Sequence, residues 1–341
     1  MNNELLEKVC NIPGIPGFED PIQEFVMGIL KPNCDEAYRD RMGNVIGLKK
    51  ARKQDNNQEP LRVILAAHAD EIGMMVKHID GDGFIRFAPV GGLNPQAIVS
   101  QRVIIHGRKS VNGVIVPTSG DRTPALKDML IDTGLPGDEV RKLIEVGDVI
   151  TFAQELVYLN EKVYMSRNFD DRLGTYCMLE AVKNLGETCV DVYAVSTVQE
   201  EKGVRGMPIA AFAIKPDMGI AIDGSPTWGA HVSKVDNICA MGQGTGIYLM
   251  DGLTIGDRRL VKFLFDLCEK YDIPYQRNIG GGTDASAIQR TGIGALATTI
   301  GAPTRYMHST VQLAHGDDIE ATVKLLVKFL ENAHELGVLV R

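Results

Sequence analysis

Six cysteines in 341 residues, none of them in a C-x-x-C pair, leave no basis for a disulfide framework or a thiolate zinc site. Cys10, Cys34, Cys177, Cys189, Cys239 and Cys268 are scattered, which reads as free, mostly buried thiols in a reducing compartment. Basic residues are in deficit as well: Lys+Arg 36 against Asp+Glu 44, a formal net charge of -8. An acidic chain with no basic cluster argues against nucleic acid as the main partner. No apolar run approaches the roughly 20 residues of a membrane span, so no membrane partner is expected. The opening MNNELLEKVC lacks a charged-then-apolar leader, and the expected compartment is the cytosol. Phosphate-binding signatures are missing too. IGGGTDAS (279–286) is rich in glycine but has neither GK[ST] nor G-x-G-x-x-G. There is no G-x-S-x-G elbow, and Ser166, Ser196 and Ser309 lack a Ser–His–Asp arrangement.

What remains is ordinary globular material, 44% hydrophobic and 23% charged, which excludes a disordered, fibrous or coiled-coil chain. The length suits one large α/β domain, or one domain with a smaller insertion. Apolar spacing predicts helices at 4–10 and 21–30, with Pro21 in a first turn. Between them lies the Pro- and Gly-dense loop NIPGIPGFED. RVILAA (62–67), VYAVSTV (192–198), MGIAID (218–223) and IGALATTIG (293–301) read as strands buried on both faces. DRLGTYCMLEAVKNL (171–185), RRLVKFLFDLCEKY (258–271) and 318–336 read as helices, the last opening at an Asp N-cap. Residues 73–163 differ: FIRFAPVGG, RVIIHG, VNGVIV and DVITFAQELVYL are short β-like runs split by Gly, Asn and Asp. That stretch is expected to be an inserted β-barrel or sandwich, and 1–72 plus 164–341 the main α/β domain.

Metal-type side chains gather at the ends of the expected strands. His68 and Asp70 follow RVILAA, Glu200 and Glu201 follow VYAVSTV, Asp223 ends MGIAID, and His308 lies just past IGALATTIG. In open α/β sheets ligands bind at the carboxyl ends of strands, so four segments deliver these groups to one rim. Asp170 and Asp171 add carboxylates before a helix, where the dipole favours negative charge. Each motif has a bland alternative. An H-x-D pair can be structural, a Glu-Glu pair can sit in a solvated turn, Asp223 can cap a loop, and a lone His is commonly a core residue. Their convergence makes the set a candidate, with Asp70 able to orient His68 and one of two adjacent glutamates able to take a proton. His78, His106, His315 and His334 have no partner at ligand spacing and read as surface or loop residues.

In order along the chain, PGIPGFED, AAHADEIGMMV, PVGG, KDMLIDTG, NFDDRLG, VQEEKGVRG, AIDG, GGTDAS and PTRYMHST resemble the M42 family of metallo-aminopeptidases, nearly end to end. Some members of that family carry an endoglucanase label. With one Trp and 6% aromatics, this chain offers no stacked-aromatic sugar cleft. The resemblance implies a di-metal exopeptidase domain in which His68 and Asp223 bind one metal, Asp170 bridges two, and Glu201 and His308 bind the second. It implies Glu200 as general base and acid, and Asp70 as the group orienting His68. Gly281, Gly282, Thr283 and Asp284 would approach the substrate. The sequence departs slightly from the family pattern at Lys202, Asp171 and Ser286, none of them a proposed ligand.

An all-N/O ligand set suits Zn²⁺, Co²⁺ or Mn²⁺, and the resemblance favours Zn²⁺ or Co²⁺. The implied activity is removal of the N-terminal residue from short peptides with a free N-terminus. A second reading is another di-metal amidase, deacylase or carboxypeptidase on the same fold. A third is a catalytically silent scaffold, disfavoured by a crowded anionic rim. The inserted β-domain would, by the same resemblance, join subunits into a dodecamer built from dimers.

Overall fold

The computed structural model describes residues 1–53, 59–118 and 124–339. Its centre is an eight-stranded mixed sheet, in the order Glu36–Arg39, Val45–Lys49, Asp191–Thr197, Arg62–His68, Met218–Ile222, Leu296–Gly301, Thr245–Met250 and Tyr275–Ile279. The four middle strands run parallel, and the sense reverses at Val45–Lys49 on one side and Thr245–Met250 on the other. The parallel strands are almost wholly apolar because helices cover both faces. Helices Phe169–Asn184 and Gly316–Asn332 pack into one core with Leu65, Val63 and Ile220, while Gly206–Ile214 covers the other face through Met207, Ala210 and Ile214.

A closed, antiparallel six-stranded barrel follows the first buried strand, in the order Gly73–Ile79, Ile85–Val90, Met129–Asp132, Ser110–Pro117, Arg102–His106 and Val149–Phe152. Closure removes the exposed edges that such short strands would otherwise leave. Its core (Met74, Val76, Phe87, Ile105, Ile131 and Phe152 among others) is separate from that of the main sheet. The run DVITFAQELVYL is divided: Val149–Phe152 closes the barrel, whereas Val157–Tyr158 pairs with Val163–Ser166 in a third sheet. That five-stranded sheet also takes Gln312–His315, Pro303–Arg305 and Ser225–Pro226. Its strands are two to four residues long, too short for a periodic signal.

The last long helix corrects one expectation. It begins at Gly316, capped by His315, whose Nδ1 accepts the Asp317 N–H. Asp318 instead accepts the N–H groups of Gly242 and Gly244, so His315 is a capping residue and not an ordinary loop residue. All six cysteines are unpaired thiols, four of them buried. Among the described residues no helix is long and apolar enough to cross a membrane.

Candidate metal centre

Strand register builds the rim. Thr197 lies level with His68 across the parallel ladder, and Ala221 with Ala66, so Glu200, His68 and Asp223 emerge side by side. Asp170 sits at the irregular start of helix Phe169–Asn184, joined to Asp171 by a cis peptide bond. His308 comes from the loop after Pro303–Arg305, with φ at +57°.

The side chains meet in two groups that share one carboxylate. Ligand-type atoms of His68, Asp170 and Asp223 lie within 4.8 Å of one another, as do those of Asp170, Glu201 and His308. The two oxygens of Asp170 face different imidazoles: Oδ1 is 3.1 Å from His68 Nε2, and Oδ2 is 3.3 Å from His308 Nε2. Glu201 Oε1 is 3.8 Å from His308 Nε2, and Glu200 Oε2 is 3.9 Å from His68 Nε2. The donor set is two imidazoles and carboxylates, the chemistry of a divalent-cation site. Among the described residues no Lys or Arg forms an ion pair with Asp170, Glu200, Glu201 or Asp223; the ion-pair partners of Asp170, Glu200 and Glu201 are histidines.

The electrostatics follow. Burial opposes ionisation of Asp170, but His308 and His68 hold its carboxyl well below the usual range. Burial pushes Glu200 up to about 9 and Glu201 up to about 7, with Asp170 adding to the shift of Glu201. Asp223 is raised by burial and by Asp171 and Asp170. His308 is raised to about 10, chiefly by Asp170. A crowded set of acids that keeps protons this strongly is one that a cation would relieve.

Comparison with known proteins fits this geometry. The M42 glutamyl aminopeptidase family profile matches residues 43–325. The chain belongs to that family. It is 34% identical to a lysyl aminopeptidase of Pyrococcus furiosus over 345 residues, covering 96% of each chain. An aminopeptidase from the archaeon Desulfurococcus kamchatkensis superposes with a TM-score of 0.92 at 35% identity, covering 96% of this chain and 94% of that one. The TET1 peptidase of Pyrococcus horikoshii, which can assemble into a tetrahedron or a large octahedral shell, superposes at 0.86 with 30% identity, covering 96% and 98%. The chain is therefore an enzyme, an M42-type aminopeptidase.

The residues around this M42 centre show more than the motifs do. Asp70 sits beside His68, but the nearest acceptor to His68 Nδ1 is the Asp70 backbone carbonyl at 3.0 Å; the carboxylate is 3.6 Å away. That carboxylate accepts the N–H groups of Glu200 and Glu201, each at 3.0 Å. Asp171 belongs to neither ligand group; its carboxylate accepts the N–H groups of His68 and Gly174. Gln312 accepts the Asp170 N–H at 2.8 Å, and the Gly92 carbonyl lies 3.2 Å from His308 Nδ1. The anchoring roles of Gln312 and Gly92 were not foreseen; only the PVGG motif touched one of them. In the glycine loop, Gly281 and Gly282 are exposed, whereas Thr283 and Asp284 are buried. Thr283 meets Thr299, and Asp284 accepts from Thr197 at 2.6 Å, so both tie the loop down from below. A cavity of about 930 Å³ opens beside His308, lined by Thr227, His231, Val232, Tyr306 and Met307 among others.

Proposed function

We propose that the protein removes the N-terminal residue of short peptides with a free N-terminus, using two divalent ions held by His68, Asp170, Asp223, Glu201 and His308. The observation that carries this is Asp170, whose two oxygens each face a different histidine. Bound ions would supply Lewis acidity, lowering the pKa of a water and polarising the scissile carbonyl. Zn²⁺ or Co²⁺ suits the donors. The protein's own groups do the rest. Asp170 and the paired ligands fix the donor positions. Glu200 lies beside the cluster but outside both ligand groups, which leaves it free to move protons. Glu200 takes a proton from the attacking water and delivers it to the leaving amine as the C–N bond breaks. Asp70 holds the backbone of Glu200 and Glu201 and helps orient His68. The exposed Gly281–Gly282 backbone and the cavity beside His308 offer room for the peptide.

The barrel, with its own core, is read as the inserted unit expected at 73–163, and the rest of the chain as the catalytic body. The working compartment is read as the cytosol, supported by six unpaired thiols. The assembly is read as a dodecamer built from dimers, supported by the similarity to the TET1 peptidase. Light scattering should then give a mass about twelve times that of the chain; a monomer at micromolar concentration would rule it out.

The activity test uses protein stripped with chelator and reloaded with Zn²⁺ or Co²⁺. It is given Glu, Asp, Leu, Ala and Lys anilides with N-acetylated controls. Hydrolysis of free-amino substrates only, restored by metal and lost in Glu200→Gln, is the expected result. Hydrolysis of the acetylated controls would replace the reading with an amidase or deacylase.

A further inference from the structure

We propose that Glu19 is a positioning residue for the reaction, fixing the backbone of Gln199 and thereby the aim of Glu200. The inference rests on the reading of Glu200 as the base.

The turn after strand Asp191–Thr197 is unusual in its backbone and in what holds it. Gln199 and Val204 both have left-handed φ, +56° and +53°, in a segment where only Gly203 takes that conformation freely. Four consecutive N–H groups in this turn are accepted by side chains from three other segments. Asn44 Oδ1 takes Val198 at 3.1 Å, Glu19 Oε1 takes Gln199 at 3.1 Å, and Asp70 takes Glu200 and Glu201. Asn44 is itself fixed, its amide donating to Asp40 and to the Gly206 carbonyl. The turn is thus gripped at every amide leading to the base.

Glu19 is the least expected member of this grip. It stands at the N-cap position of helix Asp20–Leu30, yet makes no capping hydrogen bond there. The residue is 7% exposed, and its carboxylate is divided between two amides, Gly17 at 2.9 Å and Gln199, which lies 180 positions along the chain. None of its hydrogen bonds or ion pairs goes to a candidate metal ligand. Its route to the chemistry is the Gln199 peptide, and it shares the turn with Asp70. Removing the carboxylate leaves the Gln199 N–H without an acceptor and frees a left-handed residue next to the base. A shift of about 1 Å at a reacting group costs on the order of 100-fold in rate.

The test compares wild type, Glu19→Ala and Glu19→Gln as full-length, metal-loaded protein, measuring kcat, KM, bound metal and melting temperature. The expected result is a fall in kcat of about 100-fold for Glu19→Ala and about 10-fold for Glu19→Gln, with KM and metal content within about twofold of wild type. Glu19→Gln keeps the size and one oxygen but sets an NH₂ group against one of the two amides; it decides the matter if Glu19→Ala does not fold. A folded variant with kcat within twofold of wild type overturns the proposal, whatever its melting temperature. A kcat loss matched by metal loss also overturns it, because Glu19 would then act on the ligands. Glu200→Gln is run in parallel. If that variant stays active, the reading of Glu200 fails on its own account, separately from the behaviour of Glu19.

Discussion

At the scale of single residues, the centre depends on which way each side chain is turned. His308 shows this most clearly. It is 46% exposed at the side chain, carries a left-handed backbone, and faces Asp170 with Nε2. Its other nitrogen is backed by the Gly92 carbonyl, and a Cβ on Gly92 would stand 2.7 Å from that nitrogen. Gly92→Ala should therefore turn the imidazole while leaving every ligand residue in the sequence unchanged. The expected outcome is a 10- to 100-fold loss of metal affinity, roughly that of a lost outer hydrogen-bond partner. Titration of stripped protein with Zn²⁺ measures it, and unchanged affinity would mean that Gly92 does not orient His308. The sequence made some of these residues readable and hid others, for a physical reason. His68, Glu200, Glu201 and Asp223 follow apolar strands, so a local pattern pointed to them. Asp170 stood out only as a carboxylate before a helix, and the bridging role expected of it came from family resemblance. Gly92, Gln312 and Glu19 act across 216, 142 and 180 positions, and no local signal encodes such contacts.

At the scale of elements, one buried network ties three segments behind the centre. Glu71 follows the His68 strand and pairs with Arg167 at 2.7 Å and with Arg172 at 3.4 Å. Arg172 is fully buried and donates to the carbonyls of Val9, Ile12 and Ala69. The first helix Asn3–Asn11, the PGIPG loop and the start of helix Phe169–Asn184 are thus held by two guanidinium groups around one carboxylate. Glu71→Gln leaves both buried arginines without their anion. The expected cost is about 3–5 kcal/mol, the usual loss on breaking a buried pair by removing one partner. Urea unfolding reads it, and a loss below about 1 kcal/mol would mean that water compensates the arginines. The elements themselves were legible where one periodicity ran long enough, as in the buried parallel strands and the helix Arg258–Tyr271. The third sheet was not, because its strands are too short to alternate, and two of its pairings, Val163–Ser166 with Gln312–His315 and Ser225–Pro226 with Pro303–Arg305, join distant parts of the chain.

At the scale of the whole molecule, the barrel and the main sheet keep separate cores but meet at the candidate metal centre, where Gly91 and Gly92, just past barrel strand Ile85–Val90, lie against Glu201 and His308. Val146, Val157, Tyr158 and Leu159 expose apolar surface within 73–163, and Phe212, Val235, Ile255 and Ile293 expose it outside that stretch. Global stability should register the centre through pH. Unfolded glutamates release protons near 4.5, whereas folded Glu201 keeps its proton to about 7 and Glu200 to about 9. Above the unfolded value the folded state therefore binds more protons, and stability falls as pH rises through those values. His308 acts with the same sign: its ordinary value is 6.5 and its folded value about 10, so its contribution is lost as pH climbs through that range. Asp170, held low, contributes above its ordinary 3.8 and stays constant across the window. Metal-free protein should thus melt at progressively lower temperature from about pH 6 to about pH 9. A bound divalent ion takes the place of those protons and binds better as they leave, so protein loaded with Zn²⁺ should show a flat or rising profile. Calorimetry in chelator and in Zn²⁺ checks both slopes. Equal slopes in the two conditions would mean that the ion binds away from the Asp170 cluster, because only an ion seated there removes the proton linkage of Glu200, Glu201 and His308.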